Sequence, residues 1–138
     1  MIRVVGAVLV KANHIILAQR ASTLKNFPNL FEFPGGKIEK GETPKQALSR
    51  ELFEELKIKV DIGDIKEFEN NSHSHTIEKN GKIIHLTLFM VKKWEGKLII
   101  DPSVHSDLAY IEKKNLVTFE GRMIPGDAVF IDAINNTL

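Results

Sequence analysis

The apolar residues of this chain recur in short runs and in one four-residue spacing, and these patterns predict strands and helices. Strand-like runs lie at residues 3–11, 14–20, 59–69, 82–94, 97–100 and 107–111. Ala12-Asn13 predicts a tight turn between the first two runs, and Asn80-Gly81 predicts a hairpin before the longest one. We therefore expect a sheet whose strands are interrupted by helices.

The helix signals are clearest between about Pro44 and Leu56. Thr43 is a suitable N-cap, Pro44 suits the first helical position, and Gln46 completes a capping box with the threonine. The residues of an apolar stripe that can pack against a sheet are Leu48, Leu52 and Leu56. A second helix is expected over about 125–136. Strands with helices at two points predict an α/β fold, a three-layer α/β/α sandwich around a mixed β-sheet.

Composition and charge exclude several classes of protein. With 138 residues and 43% hydrophobic content, we expect one domain over residues 1–138. The chain has no cysteine, which excludes disulfides and thiol catalysis and fits a cytoplasmic protein. No 18 consecutive residues are apolar, so no membrane span is expected. Nineteen basic and eighteen acidic residues leave a charge of +1 without a basic block, so a polymer nucleic acid is not an expected partner.

Three acidic residues of the first helix are the main candidates for chemistry. Glu51, Glu54 and Glu55 stand at i, i+3 and i+4, so their carboxylates fall within a sector of about 100°. Carboxylates held so close repel one another unless a cation lies among them, and hard oxygen donors favour Mg²⁺ or Mn²⁺. Arg50 precedes Glu54 by four residues and can orient its carboxylate. For Arg-Glu-x-x-Glu-Glu alone, a solvent-exposed charged helix face is the simpler interpretation.

A longer pattern changes that interpretation. Its fixed positions are Gly36, Glu42, Arg50, Glu51, Leu52, Glu54, Glu55 and Ile58. This pattern resembles the signature of the Nudix hydrolases, G-x5-E-x7-R-E-U-x-E-E-x-G-U with U aliphatic, in which the last glycine is replaced here by Lys57. That glycine permits the left-handed turn that ends the helix, so we expect the lysine to cost on the order of 1 kcal/mol.

The resemblance covers nearly the whole chain and points to the MutT-like nucleoside triphosphate pyrophosphohydrolases, of the 8-oxo-dGTP and CTP types. It implies the same sandwich fold and hydrolysis of a nucleoside triphosphate to the monophosphate and pyrophosphate. It also implies a Mg²⁺ site, with Mn²⁺ as a substitute, made by Glu51, Glu54, Glu55 and the Gly35 backbone carbonyl. The implied catalytic residues are Arg50, Glu51 and Glu54, with Glu51 as both metal ligand and base. Such proteins occur as monomers and as homodimers, so the oligomeric state stays open.

Candidate substrate contacts come from other segments of the same resemblance. Arg20 ends a strand and is expected to contact phosphate, although an isolated arginine is more often a surface ion-pair partner. Lys37 and Lys82 are weaker candidates of the same kind. Phe33 could stack on a base or belong to the core. Asp127, where MutT-type enzymes commonly have asparagine, only accepts hydrogen bonds when ionised, which suits a cytosine amino group or the guanine N1–H edge.

The function therefore has alternatives. The expected substrate is an oxidised nucleotide such as 8-oxo-dGTP, and CTP or a modified dCTP is second because of Asp127. Related enzymes often supply a further carboxylate from a Glu-His pair before the last core strand, and here the pair reads Val104-His105. His105 either contributes to catalysis or only hydrogen-bonds its loop, and the missing acid leaves open a catalytically silent, nucleotide-binding domain. His73 and His75 are interpreted as part of a solvated loop.

Overall fold

The computed structural model describes residues 1–68 and 74–137, apart from the side chains of Lys79 and Thr137. The strands are β1 (Ile2–Lys11), β2 (His14–Arg20), β3 (Phe31–Glu32), β4 (Gly35–Lys37), β5 (Ile65–Glu67), β6 (Ser74–Lys79), β7 (Lys82–Val91) and β8 (His105–Glu112). The helices are α1 (Pro44–Leu56), α2 (Pro125–Ala128) and α3 (Ile131–Thr137), with 3-10 helices at Ile62–Asp64 and Lys113–Arg122. The prediction for His73 lies outside the described residues, whereas the loop predicted for His75 is wrong, because His75 lies in β6 and pairs with Leu86 of β7.

The strands form one mixed sheet with the order β3-β2-β1-β7-β5. β1 and β7 run parallel from Ile2 opposite Ile84 to Leu9 opposite Val91, whereas the other described strand pairs are antiparallel. β4 pairs with the first half of β1, β6 with β7, and β8 with β2. The continuous apolar run of β1 therefore fits a strand that has neighbours on both sides and is buried on both faces.

Helical segments cover both faces of the sheet. Along β1, Ala7 and Leu9 belong to the apolar cluster beneath α1, whereas Val8 belongs to the cluster on the other face, as strand alternation requires. The residues that α1 contributes to the first cluster are Ala47, Leu48, Leu52 and Leu56. The C-terminal residues of the second cluster are Leu116, Met123, Phe130, Ile131 and Ile134. This arrangement confirms the predicted α/β/α sandwich.

α1 begins and ends where the sequence predicts. The Gln46 N–H donates to Thr43 Oγ1 at 3.1 Å, and the Thr43 N–H donates to Gln46 Oε1 at 2.9 Å, which completes the capping box. At the other end, Lys57 is left-handed with φ 62°, and its N–H donates to the Phe53 carbonyl at 3.0 Å. Its Nζ also donates to the Glu54 carbonyl at 3.0 Å. The glycine-type turn is thus kept with a lysine in it.

Three predicted strands differ from the structure. Residues 97–100 form no strand, because the Ile99 N–H donates to the Leu56 carbonyl at 2.9 Å and so satisfies the end of α1 instead of a neighbouring strand. The strand predicted over 59–69 is reduced to β5, since a 3-10 helix before it takes the chain out of the extended conformation. β7 ends at Val91 rather than at residue 94.

The C-terminal region also differs from prediction. The helix predicted over 125–136 is two helices, because the Phe130 N–H donates to the Asp127 carbonyl three residues back, at 3.1 Å, and breaks the four-residue ladder. The 3-10 helix at Lys113–Arg122 had no counterpart in the sequence analysis, although its Leu116 is fully buried. None of the described helices combines the length and the apolar character that crossing a membrane would require.

Candidate active site

Arg50 lies at the centre of a cluster of acidic side chains on α1 and in the loop before it. Its guanidinium makes two hydrogen bonds to Glu42, from Nε to Oε2 at 2.6 Å and from Nη2 to Oε1 at 2.9 Å. Nη1 donates to Glu51 at 3.0 Å and to Glu54 at 3.3 Å. Nη2 also donates to the Lys37 carbonyl at 3.0 Å, which ties α1 to β4. The expected contact between Arg50 and Glu54 is present, but the bidentate pair with Glu42 is shorter.

These contacts place the acids in different electrostatic environments. The hydrogen bond from Arg50 and, after it, a backbone hydrogen bond from Glu39 together lower the pKa of Glu42 to about 2. Burial raises the pKa of Glu51, whereas Arg50 opposes this rise. Glu42 is therefore a fixed anchor for Arg50, while Glu51 retains affinity for a proton. The sequence analysis gave Glu42 no role, because its partner is eight residues away across a loop.

Glu55 is the acid of α1 that most needs a cation. Its Oε2 atom is buried and has no hydrogen-bond partner among the described residues. Burial, and after it the charges of Glu32 and Glu51, raise the pKa of Glu55 to about 8, although a backbone hydrogen bond from Gly35 opposes the rise. A buried carboxylate with an unpaired oxygen is unfavourable when ionised unless positive charge is close.

Two glycines let the backbone of β4 approach its neighbours closely. A Cβ on Gly36 would lie 2.5 and 2.6 Å from the two carboxylate oxygens of Glu51. A Cβ on Gly35 would overlap the Val5 carbonyl oxygen of β1. Neither glycine has a positive φ, so the closeness of these neighbours, and not the backbone conformation, requires glycine. Gly36 thus leaves the space that the Glu51 carboxylate occupies.

A cleft of about 450 Å³, a size typical of small-molecule sites, lies beside this cluster. Its polar lining residues are Arg20, Glu32, Lys37, Glu55, Glu78 and Asp127, and its apolar ones include Phe33, Ile77, Ile84, Leu86 and Ile124. Four of the five predicted substrate residues therefore share one cleft with Gly35 and Glu55, whereas Glu51 and Glu54 are not among its lining residues. The structure does not bring Lys82 to the cleft, because it starts β7 beside the hairpin turn.

Asp127 lines the cleft from α2. It is 5% exposed, and its Oδ2 accepts a hydrogen bond from the Phe33 backbone N–H at 2.8 Å. Burial and the Glu32 charge raise the pKa of Asp127 to about 7, although the Phe33 hydrogen bond and Arg20 oppose the rise. Asp127 is thus not only the ionised acceptor that the sequence suggested, since both of its protonation states are populated near neutral pH. Phe33 is also 5% exposed, so its ring belongs to the core and its amide orients Asp127.

Glu32 is a residue of the cleft that the sequence analysis did not single out. Its Oε1 accepts a hydrogen bond from Arg20 Nη1 at 3.0 Å, and its Oε2 lies 2.8 Å from His105 Nε2. Arg20 Nε also donates to the Asn26 carbonyl at 3.0 Å. One sequence signal could have indicated Glu32: it lies between two phenylalanines of an extended segment, and alternation turns it away from the side that they bury.

Comparison with known proteins assigns the family. The NUDIX domain model matches residues 1–133. The chain belongs to the Nudix hydrolase family. This Nudix chain is 34% identical to the CTP pyrophosphohydrolase of Escherichia coli K12 over 133 residues, which are 96% of this chain and 90% of that protein. It is 38% identical to the 8-oxo-dGTP diphosphatase of the same strain over 95 residues, which are 67% of each protein.

Solved structures agree with this assignment. The Nudix chain is similar to the solution structure of the E. coli ORF135 protein, with a TM-score of 0.80 and 34% identity over 96% of this chain and 87% of that one. The crystal structure of a MutT Nudix hydrolase from Burkholderia pseudomallei has a TM-score of 0.79 at 19% identity, over 94% of this chain and 95% of that one. The second likeness concerns the fold alone, and together they confirm the expected Nudix fold.

Nudix hydrolases generally use divalent metal ions, and the acids of this chain have the donor chemistry for one. Glu51, Glu54 and Glu55 offer only hard oxygen ligands, and Oε2 of Glu55 is buried without a partner. Within residues 1–68 and 74–137, no three acidic or histidine side chains already converge as a ligand set. Arg50 instead holds two of the three acids. The donor atoms of these residues therefore suit a divalent ion, although the three carboxylates do not converge on one position.

Proposed function

We propose that this Nudix hydrolase cleaves a nucleoside triphosphate to the monophosphate and pyrophosphate, with Mg²⁺ as its metal and Mn²⁺ as a substitute. The observation that carries the proposal is the cleft that Glu55 and Asp127 both line. Glu55 lies on the side of the Arg50 cluster. The cleft volume of about 450 Å³ suits a nucleotide. Glu55 could contribute to a metal site, and Asp127 could hydrogen-bond the nucleobase. The relatives named CTP pyrophosphohydrolase and 8-oxo-dGTP diphosphatase support this class of substrate.

In this proposal Arg50 positions the acids. Its bidentate pair with Glu42 fixes the guanidinium, and Nη1 then holds Glu51 and Glu54 on the same side of α1. The residues that would hold the metal are Glu51, Glu54, Glu55 and the Gly35 backbone carbonyl. A bound metal would neutralise phosphate oxygens and lower the pKa of the attacking water. Arg20 and Lys37, which line the same cleft, are the proposed phosphate contacts.

Glu51 is the proposed base. Burial raises the pKa of its carboxyl, which increases its affinity for the proton of the attacking water. Arg50 occupies Oε1 at 3.0 Å, so Oε2 is the oxygen left to accept that proton. The Glu51→Ala variant should therefore lose most of the turnover. A rate within a few-fold of the wild type would refute this role.

We propose 8-oxo-dGTP as the first candidate substrate. Because the pKa of Asp127 is about 7, its protonated form is populated at neutral pH. The Phe33 amide occupies Oδ2, so the proton belongs on Oδ1, which can then donate to a carbonyl oxygen such as O6 of an oxidised guanine. Protonated Asp127 therefore offers the donor that an asparagine amide would offer.

CTP or a modified dCTP is the second candidate. The match to the CTP pyrophosphohydrolase spans 96% of this chain, whereas the match to the E. coli 8-oxo-dGTP diphosphatase spans 67%. Ionised Asp127 would accept a hydrogen bond from the cytosine N4 amino group. The two candidates thus require opposite protonation states of one side chain.

The deciding experiment is pyrophosphate release with Mg²⁺ from 8-oxo-dGTP, dGTP, CTP, 5-hydroxy-dCTP and dATP, with the Glu54→Gln variant as the blank. A kcat/KM for 8-oxo-dGTP far above the others supports the first candidate, and a preference for a cytosine nucleotide supports the second. The ratio of kcat/KM for 8-oxo-dGTP to that for CTP should fall as pH rises through about 7, and a constant ratio would refute the role of Asp127. Binding without release, in Mg²⁺ and in Mn²⁺, would indicate a silent nucleotide-binding domain.

We also propose that residues 1–138 act as one domain on free nucleotides in the cytoplasm, as part of the removal of damaged nucleotides. The charge of +1 without a basic block supports a small-molecule substrate over a polymer nucleic acid. Light scattering on the purified protein would distinguish the monomer from the homodimer.

A further inference from the structure

A bulge in β8 brings His105 next to the cleft. Gln19 pairs with Asp107, but the next pair is Arg20 with His105, so Ser106 is an extra residue in β8. Side chains alternate between the faces of a sheet, so one extra residue reverses the face of the residues beyond it. His105 is consequently fully buried, whereas Ser106 and Asp107 are exposed.

His105 is held through one of its two ring nitrogens. Nε2 lies 2.8 Å from Glu32 Oε2, while Nδ1 is buried and has no hydrogen-bond partner in the described part of the chain. A carboxylate only accepts hydrogen bonds, so Nε2 carries a proton and donates it to Glu32. An apolar residue would fill this place without burying an unpaired nitrogen. The contact with Glu32 is therefore what a histidine adds here.

Glu32 uses both of its carboxylate oxygens. Oε1 accepts from Arg20 Nη1 at 3.0 Å and Oε2 from His105, and the side chain is only 15% exposed. Loss of either partner would leave a largely buried oxygen unpaired. The charge of Glu32 also raises the pKa values of Glu55 and Asp127, so Glu32 lies close to both of the other acids that are buried at the cleft.

We propose that His105 is a positioning residue: by holding Glu32, it fixes the Arg20 guanidinium at the cleft for contact with the substrate phosphates. The inference rests on the proposed function, in which Arg20 contacts phosphate. The connection has two steps, from His105 to Glu32 and from Glu32 to Arg20, and neither step needs a metal or a proton transfer. His105 thus has a role that does not depend on an acid at Val104.

Two substitutions separate the hydrogen bond from packing. His105→Gln keeps an N–H donor near the position of Nε2, whereas His105→Leu fills similar space without a donor. We expect His105→Leu to lower kcat/KM by about 10- to 100-fold, the usual range for a hydrogen bond to a charged group, and mainly through KM. His105→Gln should stay within about threefold of the wild type. Ser106→Ala, in the exposed part of the bulge, is the matched control and should leave kcat/KM unchanged.

A double substitution tests whether the effect passes through Arg20. In an Arg20→Gln background, His105→Leu should change kcat/KM by less than about twofold, because the group that it positions is absent. The proposal is overturned if the two effects multiply, if His105→Gln loses as much as His105→Leu, or if folded His105→Leu keeps its activity. Circular dichroism and urea denaturation show which variants are folded.

Nitrogen-15 NMR gives a measurement that does not depend on turnover. In the wild type we expect the His105 proton on Nε2 and slow solvent exchange of the Arg20 Nε–H, which donates to the Asn26 carbonyl. That exchange should be faster in His105→Leu and Glu32→Gln and unchanged in His105→Gln. An Nε2 of wild-type His105 that carries no proton, or an unchanged Arg20 signal in His105→Leu, would overturn the proposal. If the NMR changes occur as expected but the protein hydrolyses no nucleotide, the positioning of Arg20 by His105 stands and only the proposed function fails.

Discussion

The buried carboxyl of Glu55 gives a stability prediction whose sign depends on pH. Its pKa rises from the ordinary 4.5 to about 8, mainly through burial and then through the charges of Glu32 and Glu51. In the unfolded chain the pKa returns to about 4.5, so the folded protein binds this proton more tightly. The stabilisation from the proton is complete below about pH 4.5 and is lost as pH rises through about 8.

The size of the effect follows from the pKa change. Each pH unit corresponds to about 1.4 kcal/mol, so complete loss of the proton destabilises the metal-free protein by about 3–5 kcal/mol. Glu55→Gln replaces the carboxyl with an uncharged group of the same shape. We expect this variant to be more stable than the wild type by about 3–5 kcal/mol at pH 9 and by about 1 kcal/mol at pH 5, both without metal.

Urea denaturation in EDTA at both pH values measures this difference. Comparing the variant with the wild type matters, because the raised pKa of Asp127 makes the stability of both proteins fall over part of the same pH range. Glu54→Gln, at an exposed acid of the same helix, should reproduce only a small part of this difference, because the charge of Glu54 contributes less to the raised pKa of Glu55 than burial, Glu32 and Glu51 do. Mg²⁺ at pH 9 should stabilise the wild type more than Glu55→Gln. A variant that is less stable than the wild type at pH 9 in EDTA would refute the reasoning.

Three further predictions concern the ends and the neighbours of α1. Lys57→Gly should raise the melting temperature by about 2–4 °C at unchanged kcat, because it removes the strain of a left-handed lysine. Lys57→Ala should lower the melting temperature, because it loses the lysine hydrogen bond. A large change in kcat would contradict this. Gly36→Ala should lower kcat at least about tenfold with little loss of stability, because the added Cβ displaces the flexible carboxylate of the proposed base. Gly63→Ala, whose Cβ would lie in open space, should leave both kcat and stability unchanged. Glu42→Gln should lower kcat, because Arg50 loses its anchor. The wild type should lose stability as pH falls from about 4.5 to about 2, because Glu42 gains a proton, and the variant should lack this loss. An acid denaturation profile that is the same in both proteins would contradict this.

Local spacing predicted α1 and its acids because helix geometry fixes neighbours three and four residues apart. The capping box of Thr43 and Gln46 and the contact from Arg50 to Glu54 both follow from such spacing. The shorter pair between Arg50 and Glu42 does not, because the path of the loop between them is not set by any repeat. The site roles themselves remain predictions that the assays above test.

Contacts between distant segments decided what the sequence could not show. His105 lies opposite Arg20 only because β8 contains one extra residue, and no local pattern marks Ser106 as that residue. Residues 97–100 have a strand-like composition, yet the Ile99 N–H is used at the end of α1. In each case a hydrogen-bond partner far along the chain overrides the local preference.

Burial raises the pKa values of Glu55 and Asp127, the two buried acids of this cleft. The consequences differ, because the two carboxyl groups have different hydrogen-bond partners. Oε2 of Glu55 has no partner among the described residues, so its ionisation is favourable only with positive charge nearby, which is what a divalent ion supplies. Oδ2 of Asp127 is instead fixed by the Phe33 amide, so a proton gained or lost at Oδ1 changes which base atoms it can bind without turning the side chain. Both acids are followed or preceded by apolar residues in the sequence, and composition cannot tell them apart. The proposed metal role of Glu55 and the proposed base-reading role of Asp127 therefore rest on which of their oxygens the fold leaves unpaired.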